Sequence, residues 1–203
     1  MTSIAESCFR RLLPRLGGFL MAGLLLLASC DLPGGVRREI TILDGQITVR
    51  APQFYCVDRQ ASRAGKDTAV VLIGRCAVKD HVAAAVVTVT VGGAASGGVM
   101  LAGAEALRQF LRSSDGRKVL SRSGRVEDVA VLQSGVVDGT LMLHLNDALA
   151  GEYWRAIIGL RGRLVTVSAL GPEVAPLPPE HGRHLVEQTV AALNKANPAA
   201  QGG

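Results

Sequence analysis

The chain has 203 residues, of which 48% are hydrophobic and 19% are charged, and its formal net charge is +5. This length is enough for one domain with a hydrophobic core. Aromatic residues make up only 3% of the chain, so stacking platforms for sugars or bases are hard to build, and the mild positive charge argues against nucleic acid as a partner.

The N-terminus has the layout of an export signal. Arg10, Arg11 and Arg15 form a positive segment, and an apolar stretch follows over 16–28. A membrane-spanning helix needs roughly 20 apolar residues, which is more than this stretch provides. The segment therefore predicts a cleavable signal and not a transmembrane helix.

A cysteine follows the apolar stretch, in the sequence Leu27-Ala28-Ser29-Cys30. These residues resemble the lipobox of bacterial lipoproteins, in which leucine and two small residues precede a lipidated cysteine. The resemblance implies that 1–29 is a signal peptide, that Cys30 carries acyl chains, and that the protein is anchored to a membrane facing the periplasm. Asp31 resembles the inner-membrane retention signal of enteric bacteria, which slightly favours the inner over the outer membrane. An ordinary secretory signal cleaved near Ala28 is the alternative.

Cysteine usage fits an exported protein. Cys8 lies in the signal and Cys30 would carry lipid, which leaves Cys56 and Cys76 as a pair in an oxidising compartment. We predict a disulfide between them, which on the chain-entropy model stabilises the fold by about 3 kcal/mol. Two buried free thiols are the alternative.

The first half of the chain predicts mostly strands. Asp44-Gly45 is typical of a type I′ hairpin turn, and Pro33-Gly34-Gly35 is typical of a tether. The expected elements are a tether that with Cys30 covers 30–38, strands at 39–43 and 46–50, a short helix at 55–64, and a strand at 68–78.

The segment 82–104 has no charged residue, which raises the alternative of a second membrane helix. We reject it because 86–91 is β-branched and 92–98 is rich in glycine. A strand, a loop and a helix over 101–113 are expected instead. The predicted apolar stripe of that helix consists of Leu101, Ala104, Leu107, Phe110 and Leu111.

The second half predicts a meander followed by a helix. Asp138-Gly139 and Arg161-Gly162 are turn signals, and Pro178-Pro179-Glu180 is typical of a helix start. The expected elements are strands at 126–133, 140–145, 152–160 and 163–169, a helix ending near Asn194, and a disordered tail at 197–203. The prediction is a single α+β domain over 39–196, with an antiparallel sheet of seven or eight strands and a mid-chain and a C-terminal helix packed on it.

This element order is similar to the Mog1/PsbP-like fold. The strand containing Trp154-Arg155, the hairpin at Gly162-Arg163-Leu164 and the closing helix carry the similarity. The chain also resembles exported proteins of alphaproteobacteria in which an Ala-Pro-x-x-Tyr-Cys segment precedes a second cysteine. Here that segment runs from Ala51 to Cys56, and the resemblance implies no activity.

Motifs for catalysis and cofactor binding are missing. The sequence has no Gly-x-Ser-x-Gly elbow and no phosphate-binding loop ending in Gly-Lys-Ser/Thr. His181 and His184 are too few for a zinc site, Trp154 is expected to anchor the core, and His144 to face outward or make a structural hydrogen bond. We therefore expect no cofactor and no metal.

The densest positive charge lies in mid-chain. It could meet anionic lipid headgroups or an acidic partner protein, and a solvated loop with nearby acids is the alternative. The residues of this possible basic surface are Arg108, Arg112, Arg117, Lys118, Arg122 and Arg125.

These observations predict a monomeric, non-catalytic binding or accessory domain of the cell envelope, with a lipid anchor and a protein partner in the envelope. One alternative is a hydrolase whose site is assembled from distant residues. Another is a small-ligand carrier with an apolar pocket between the sheet and the 101–113 helix.

Overall fold

The structure, a computed structural model, describes residues 37–77 and 81–198. The predicted signal peptide, Cys30, most of the tether and residues 199–203 lie outside the described residues. The elements in these ranges are β1 (Glu39–Ile42), β2 (Ile47–Arg50), β3 (Tyr55–Ala64), β4 (Ala69–Arg75), β5 (Val86–Val91), α1 (Ala104–Arg112), α2 (Ser114–Leu120), β6 (Val129–Val137), β7 (Thr140–Asp147), β8 (Gly151–Leu160), β9 (Arg163–Leu170) and α3 (Pro179–Ala196).

Seven strands form one antiparallel sheet in the order β3-β4-β5-β9-β8-β7-β6, and β1 and β2 form a separate hairpin. The pairing of β5 with β9 joins the two halves of the chain, with Val89 opposite Val167. This architecture, with helices between β5 and β6 and a helix after β9, confirms the α+β prediction.

The two faces of the sheet are covered by different elements, because successive side chains of a strand point to opposite faces. In β8, Trp154, Ala156 and Ile158 belong to a core shared with α3 and the β1–β2 hairpin. Tyr153 and Ile157 belong to a second core, which α1 and α2 close over β6–β8. The middle of β8 therefore lies between two packed layers.

Helix α3 confirms the predicted C-terminal helix. Its buried face includes Leu185, Val186 and Leu193, as the apolar pattern predicts. Gly182 lies over Trp154, where a β-carbon would come within 3.5 Å of the indole Cδ1 atom. Trp154 is only 4% exposed, so it anchors the core as expected.

The predicted helix over 55–64 is wrong, because this segment is strand β3. Tyr55 and Val57 are buried while Asp58 is exposed, and Val57 lies opposite Ile73 of β4. The polar residues at 58–63 hide this period of two, since the strand is interrupted there by an irregularity between Asp58 and Arg63. Pairing with β4, a contact outside the local sequence, decides the conformation.

The mid-chain helix is shorter than predicted and is followed by a second helix. Leu101 lies before α1 and is 90% exposed, so its place in the buried stripe is wrong, and Phe110 is also exposed. The Ser113 hydroxyl accepts a hydrogen bond from the Gly116 amide at 3.2 Å and so caps α2. This capping starts a new helix where a loop was expected.

The predicted turns and disulfide are confirmed. Asp138-Gly139 and Arg161-Gly162 have positive φ at both positions, with 48° and 73° in the first pair and 52° and 75° in the second. Such values are typical of type I′ hairpins. Cys56 and Cys76 form a disulfide with a Cα–Cα distance of 4.9 Å.

The sheet end where β9 begins is held by a buried arginine. Arg163 is 5% exposed, and its Nη1 donates to the carbonyl oxygens of Asp67 (2.6 Å) and Gly92 (2.9 Å) and to Asp67 Oδ1 (2.9 Å). Its Nη2 donates to Gln46 Oε1 at 3.1 Å. The sheet, the β3–β4 turn and the β1–β2 hairpin therefore meet at one side chain.

The glycine-rich segment 92–98 is fixed at the same end. The Ala94 amide donates to Asp67 Oδ1 at 2.9 Å, and the Leu164 amide donates to the Ser96 hydroxyl at 2.9 Å. A β-carbon on Gly97 would lie 2.7 Å from the carbonyl carbon of Gly162, so glycine permits this close approach. None of the helices in 37–77 and 81–198 has the length and apolar character needed to cross a membrane.

Candidate binding groove

A groove of about 670 Å³ lies at the opposite end of the sheet, where β7 and β9 end and β8 begins. One wall is the turn 148–152 between β7 and β8. The other wall is the segment 170–179 between β9 and α3, and Arg122 also lines the groove. The groove is thus built from three segments that strand order brings together.

Asp147 fixes the first wall. Its side chain is 1% exposed, and its Oδ1 accepts a hydrogen bond from the Leu149 amide at 2.9 Å. Its Oδ2 accepts one from the Arg122 amide at 3.0 Å. One buried carboxylate therefore shapes the turn and places Arg122 at the groove through its backbone.

The second wall is a compact, proline-rich loop. Pro172, Pro176, Pro178 and Pro179 all line the groove. A β-carbon on Gly171 would lie 2.2 Å from the Leu177 amide nitrogen, so this loop can fold back on itself only around a glycine. Because proline fixes φ, the wall is stiff and adds little ordering cost when a ligand binds.

The groove combines one cation with two carboxylates. Arg122 has no carboxylate within 4 Å among the residues that the structure describes, whereas Glu152 contacts His144, with Oε1 2.8 Å from Nε2. Glu173 lines the same groove. The available charges are therefore an unpaired guanidinium, a carboxylate beside an imidazole, and a second carboxylate.

His144 belongs to a stack beside the groove. Its ring lies parallel to that of Trp154, with 4.6 Å between centroids, and the Arg183 guanidinium lies 5.6 Å from the centre of the Trp154 ring. Arg183 also pairs with Glu187 at 2.9 Å. His144 thus faces the α3 side of the sheet, half-buried, and its Nε2 contacts Glu152 without forming a hydrogen bond of good geometry with a described residue.

The Tyr153 side chain lies on the face of the sheet opposite His144, in the core that α1 and α2 cover. Burial raises the pKa of its hydroxyl, while Arg155 and Arg122 act in the opposite direction. The Arg155 guanidinium lies 5.4 Å from the ring centroid. The hydroxyl has no partner of good hydrogen-bond geometry in the described part of the chain, but Arg122 lies close enough to lower the pKa of Tyr153 both by its charge and as a hydrogen-bond donor.

The predicted basic residues divide into paired and unpaired cations. Arg108 Nε donates to Glu105 Oε2 at 2.7 Å, and this hydrogen bond lowers the pKa of Glu105. Lys118 lies 3.6 Å from Asp115, and Arg125 lies 2.6 Å from Asp128. The remaining three cations, which form no ion pair with a described residue, are Arg112, Arg117 and Arg122. Only Arg122 of the six lines the groove.

Metal ligation finds no support in 37–77 and 81–198, where no group of three or more His, Cys, Asp or Glu side chains could hold an ion. His184 contacts Gln188 instead, with 2.9 Å between the two Nε2 atoms. The space between the sheet and α1 is filled by buried side chains, including Leu111, Leu141 and Leu143.

Sequence reasoning missed the groove. Asp147, Leu149 and the proline loop carry no catalytic or binding motif, and Arg122 was singled out only for its charge. The repeated prolines at 172–179 are the one local signal for a stiff wall.

No family model matches the chain, and no curated protein matches it in sequence. Among solved structures, a mutant of protein Mog1 is similar, with a TM-score of 0.41 and 14% identity, over 78% of this chain and 93% of that chain. This similarity concerns the course of the backbone, and nothing about function follows from it.

Proposed function

We propose that this chain is a lipid-anchored protein of the bacterial envelope whose domain faces the periplasm and acts as a non-catalytic binding or accessory module. The observation that best supports export from the cytosol is the Cys56–Cys76 disulfide, because such bonds persist in oxidising compartments and are rare in the cytosol. The lipobox-like residues before Cys30 support acylation of Cys30, whose acyl chains form the anchor. Two or three acyl chains on one cysteine give stable attachment, whereas one chain binds only marginally.

The binding role rests on the groove. Its walls offer exposed apolar surface, including Leu149, which is 70% exposed, and its end offers the unpaired guanidinium of Arg122. A stiff cleft of this kind suits an extended peptide segment of a partner protein that brings an acidic group to Arg122 and apolar side chains to the proline wall.

The anchor is tested by replacing Cys30. In cells fed a labelled fatty acid, Cys30→Ser should abolish acyl labelling, while Cys8→Ser should leave it unchanged because Cys8 precedes the cleavage site. Labelling that survives Cys30→Ser would contradict the anchor.

The groove is tested by site-specific photo-crosslinking in cells. A photoreactive residue at Leu149 should give a discrete crosslinked species, and one at Val119, which is equally exposed on α2, should not. Arg122→Glu should remove the Leu149 crosslink, whereas Arg112→Glu removes the same charge outside the groove and should preserve it. A crosslink insensitive to Arg122→Glu would oppose this mode of binding.

A hydrolase is the second candidate, and the contact between His144 and Glu152 at the groove favours it. Imidazole–carboxylate pairs serve acid–base catalysis when a substrate is within reach. Hydrolysis of an ester or peptide by the purified protein, lost in His144→Gln and retained in His184→Gln, would support this candidate. Activity equal in both variants would exclude a role for the pair.

A further inference from the structure

Five cations cluster along the line where β1 approaches β3. They lie on the segment before β1, on β3 and in the β3–β4 turn, and all are exposed. We call them the β1–β3 seam: Arg37, Arg38, Arg59, Arg63 and Lys66.

Contacts between the two segments place these residues together. The Val57 amide of β3 donates to the Arg37 carbonyl oxygen at 2.9 Å. Further along the same line, Arg59 and Arg63 line one cleft together with Ile40 and Ile42 of β1. Arg37, Arg59 and Arg63 therefore follow β3 from Val57 towards its C-terminal end, and Lys66 lies beyond that end in the β3–β4 turn.

A bulge in β3 makes the middle of this surface protrude. Asp58 Oδ1 accepts hydrogen bonds from the Gln60 amide at 3.0 Å and from the Ala61 amide at 2.9 Å. The Ser62 hydroxyl accepts a hydrogen bond from the Leu72 amide of β4 at 3.0 Å, and β3 pairs with β4 again from Arg63. Arg59 and Gln60 consequently lie outside the ladder, where they project from the sheet edge.

The carboxylates near the seam are already engaged. Glu39 pairs with Arg50 at 2.7 Å, and Asp67 pairs with Arg163 at 2.9 Å. Asp58 accepts the two amides of the bulge. Within the described ranges, no cation of the seam has a carboxylate within 4 Å, in contrast to Arg108, Lys118 and Arg125 of the mid-chain segment.

The seam also lies where the chain leaves for the anchor. Even when fully extended, the residues between Cys30 and Arg37 can span no more than about 25 Å. A domain of this size has a radius of gyration of about 15 Å, so Arg37 stays within one domain diameter of the acylated residue. Charges act on a membrane over about 8 Å at physiological salt, so only the surface nearest the anchor contributes strongly.

We infer that the β1–β3 seam is the membrane-facing surface of the domain and that it docks on the headgroups of anionic phospholipids. This inference rests on the proposed anchor at Cys30. The seam brings unpaired cations, of which each contributes roughly a fivefold factor to association with an anionic surface. The groove is built at the ends of β7, β8 and β9, and β4 and β5 separate these strands from β3 in the sheet, so the seam and the groove are different surfaces of the domain.

The test uses the mature acylated protein reconstituted into vesicles, with a fluorophore on Gln60→Cys in the bulge or on Val119→Cys in α2. Quencher lipids report headgroup proximity. In phosphatidylcholine vesicles containing phosphatidylglycerol, the label at position 60 should be quenched and the label at position 119 should not. Pure phosphatidylcholine or high salt should relieve the quenching.

Matched charge variants identify the surface. Replacing Arg37, Arg59, Arg63 and Lys66 by glutamine should reduce the docked-to-undocked ratio on the order of several hundredfold. Replacing Arg112, Lys118, Arg122 and Arg125 by glutamine removes the same charge from exposed positions elsewhere and should leave the quenching intact. Equal quenching of both labels, or loss only in the second variant, would overturn the inference.

The failure of the anchor is distinguishable from failure of the seam. Acylated protein whose label at position 60 stays unquenched refutes the seam and leaves the anchor standing. If the purified protein proves to carry no acyl chain, co-sedimentation with phosphatidylglycerol vesicles replaces quenching. Binding that only the first variant loses then supports the seam, and absence of binding overturns it.

Discussion

At one end of the sheet the guanidinium of Arg163 is enclosed, and at the other end that of Arg122 borders an open groove. Arg163 donates to acceptors on three separate segments. Arg122 has a fixed backbone, because Asp147 binds its amide, but it has no carboxylate partner among the described residues. The fold thus binds the guanidinium of Arg163 at one end of the sheet and leaves the guanidinium of Arg122 available at the other end.

The difference separates a cation whose donors are bound within the fold from a cation that has no ion-pair partner among the described residues. A buried guanidinium must have its donors satisfied, so Arg163 is surrounded by oxygen atoms from the chain itself. Arg122 is exposed at the groove, so its donors can bind a ligand. Four experiments test this contrast.

The largest effect is expected for Arg163→Met. The change leaves the acceptors at Asp67, Gly92 and Gln46 without their shared donor, and because hydrogen bonds to a charged group contribute about 1.5–3 kcal/mol each, we expect it to lower the free energy of unfolding by about 3–4 kcal/mol. Arg122→Met should change it by less than about 0.5 kcal/mol. Urea unfolding followed by Trp154 fluorescence gives both values, and equal losses would contradict the contrast.

Removal of the disulfide should be the next largest effect. Cys56→Ser together with Cys76→Ser opens a loop with a sequence separation of 20 and should lower stability by about 3 kcal/mol. A reduced wild-type protein should match the double variant in the same unfolding experiment. Unchanged stability would show that strand pairing alone holds this edge.

Asp147→Asn should give a smaller loss of about 1–2 kcal/mol, because the amides of Arg122 and Leu149 lose a charged acceptor. Hydrogen exchange should show those two amides losing protection, while amides around Arg163 keep theirs. Asp138→Asn is the control, since asparagine tolerates the positive φ of that turn. A similar effect at position 138 would remove the special role of Asp147.

The smallest effect concerns pH. Burial raises the pKa of Tyr55 and of Tyr153 above the ordinary value of 10.0, and these are the two tyrosines of the chain. A raised pKa in the folded state means that the stability contribution is complete below pH 10.0 and is lost as the pH rises through the folded-state pKa.

Absorbance titration of the folded protein should therefore give midpoints above pH 10.0 for both tyrosines. Arg122→Gln should raise the pKa of Tyr153 further, because a nearby positive charge is lost, and Arg163→Gln should not. An early, normal titration of both tyrosines would contradict their burial.

The sequence predicts the parts of this contrast that depend on local chemistry. The two-residue turns at Asp138-Gly139 and Arg161-Gly162, the alternation in β9 and the buried face of α3 are all readable, because each depends on neighbours within a few residues. The disulfide is predictable because only two cysteines remain for pairing.

Longer-range contacts defeat local reasoning. Arg163 meets Asp67, which is 96 residues away in sequence, and nothing near either residue reports the pair. Segment 55–64 is predicted as a helix because the bulge that interrupts its pairing with β4 also interrupts the alternation typical of a strand. The order β9-β8-β7 is that of the predicted meander, but the position of Arg122 and of the proline loop beside the β7–β8 turn depends on packing that the sequence alone does not reveal.

The bulge in β3 has a counterpart at the other edge of the sheet, where the register of β6 shifts between Val131 and Gln133. An edge strand exposes a row of unpaired amides and carbonyls with which a strand of a neighbouring chain can pair, and a bulge interrupts this row. Proteins confined to a membrane plane meet one another far more often than they do in solution. With both outer strands irregular, the sheet offers no straight template for strand addition by another copy, which would matter most if the proposed lipid anchor holds copies of the domain at a membrane surface.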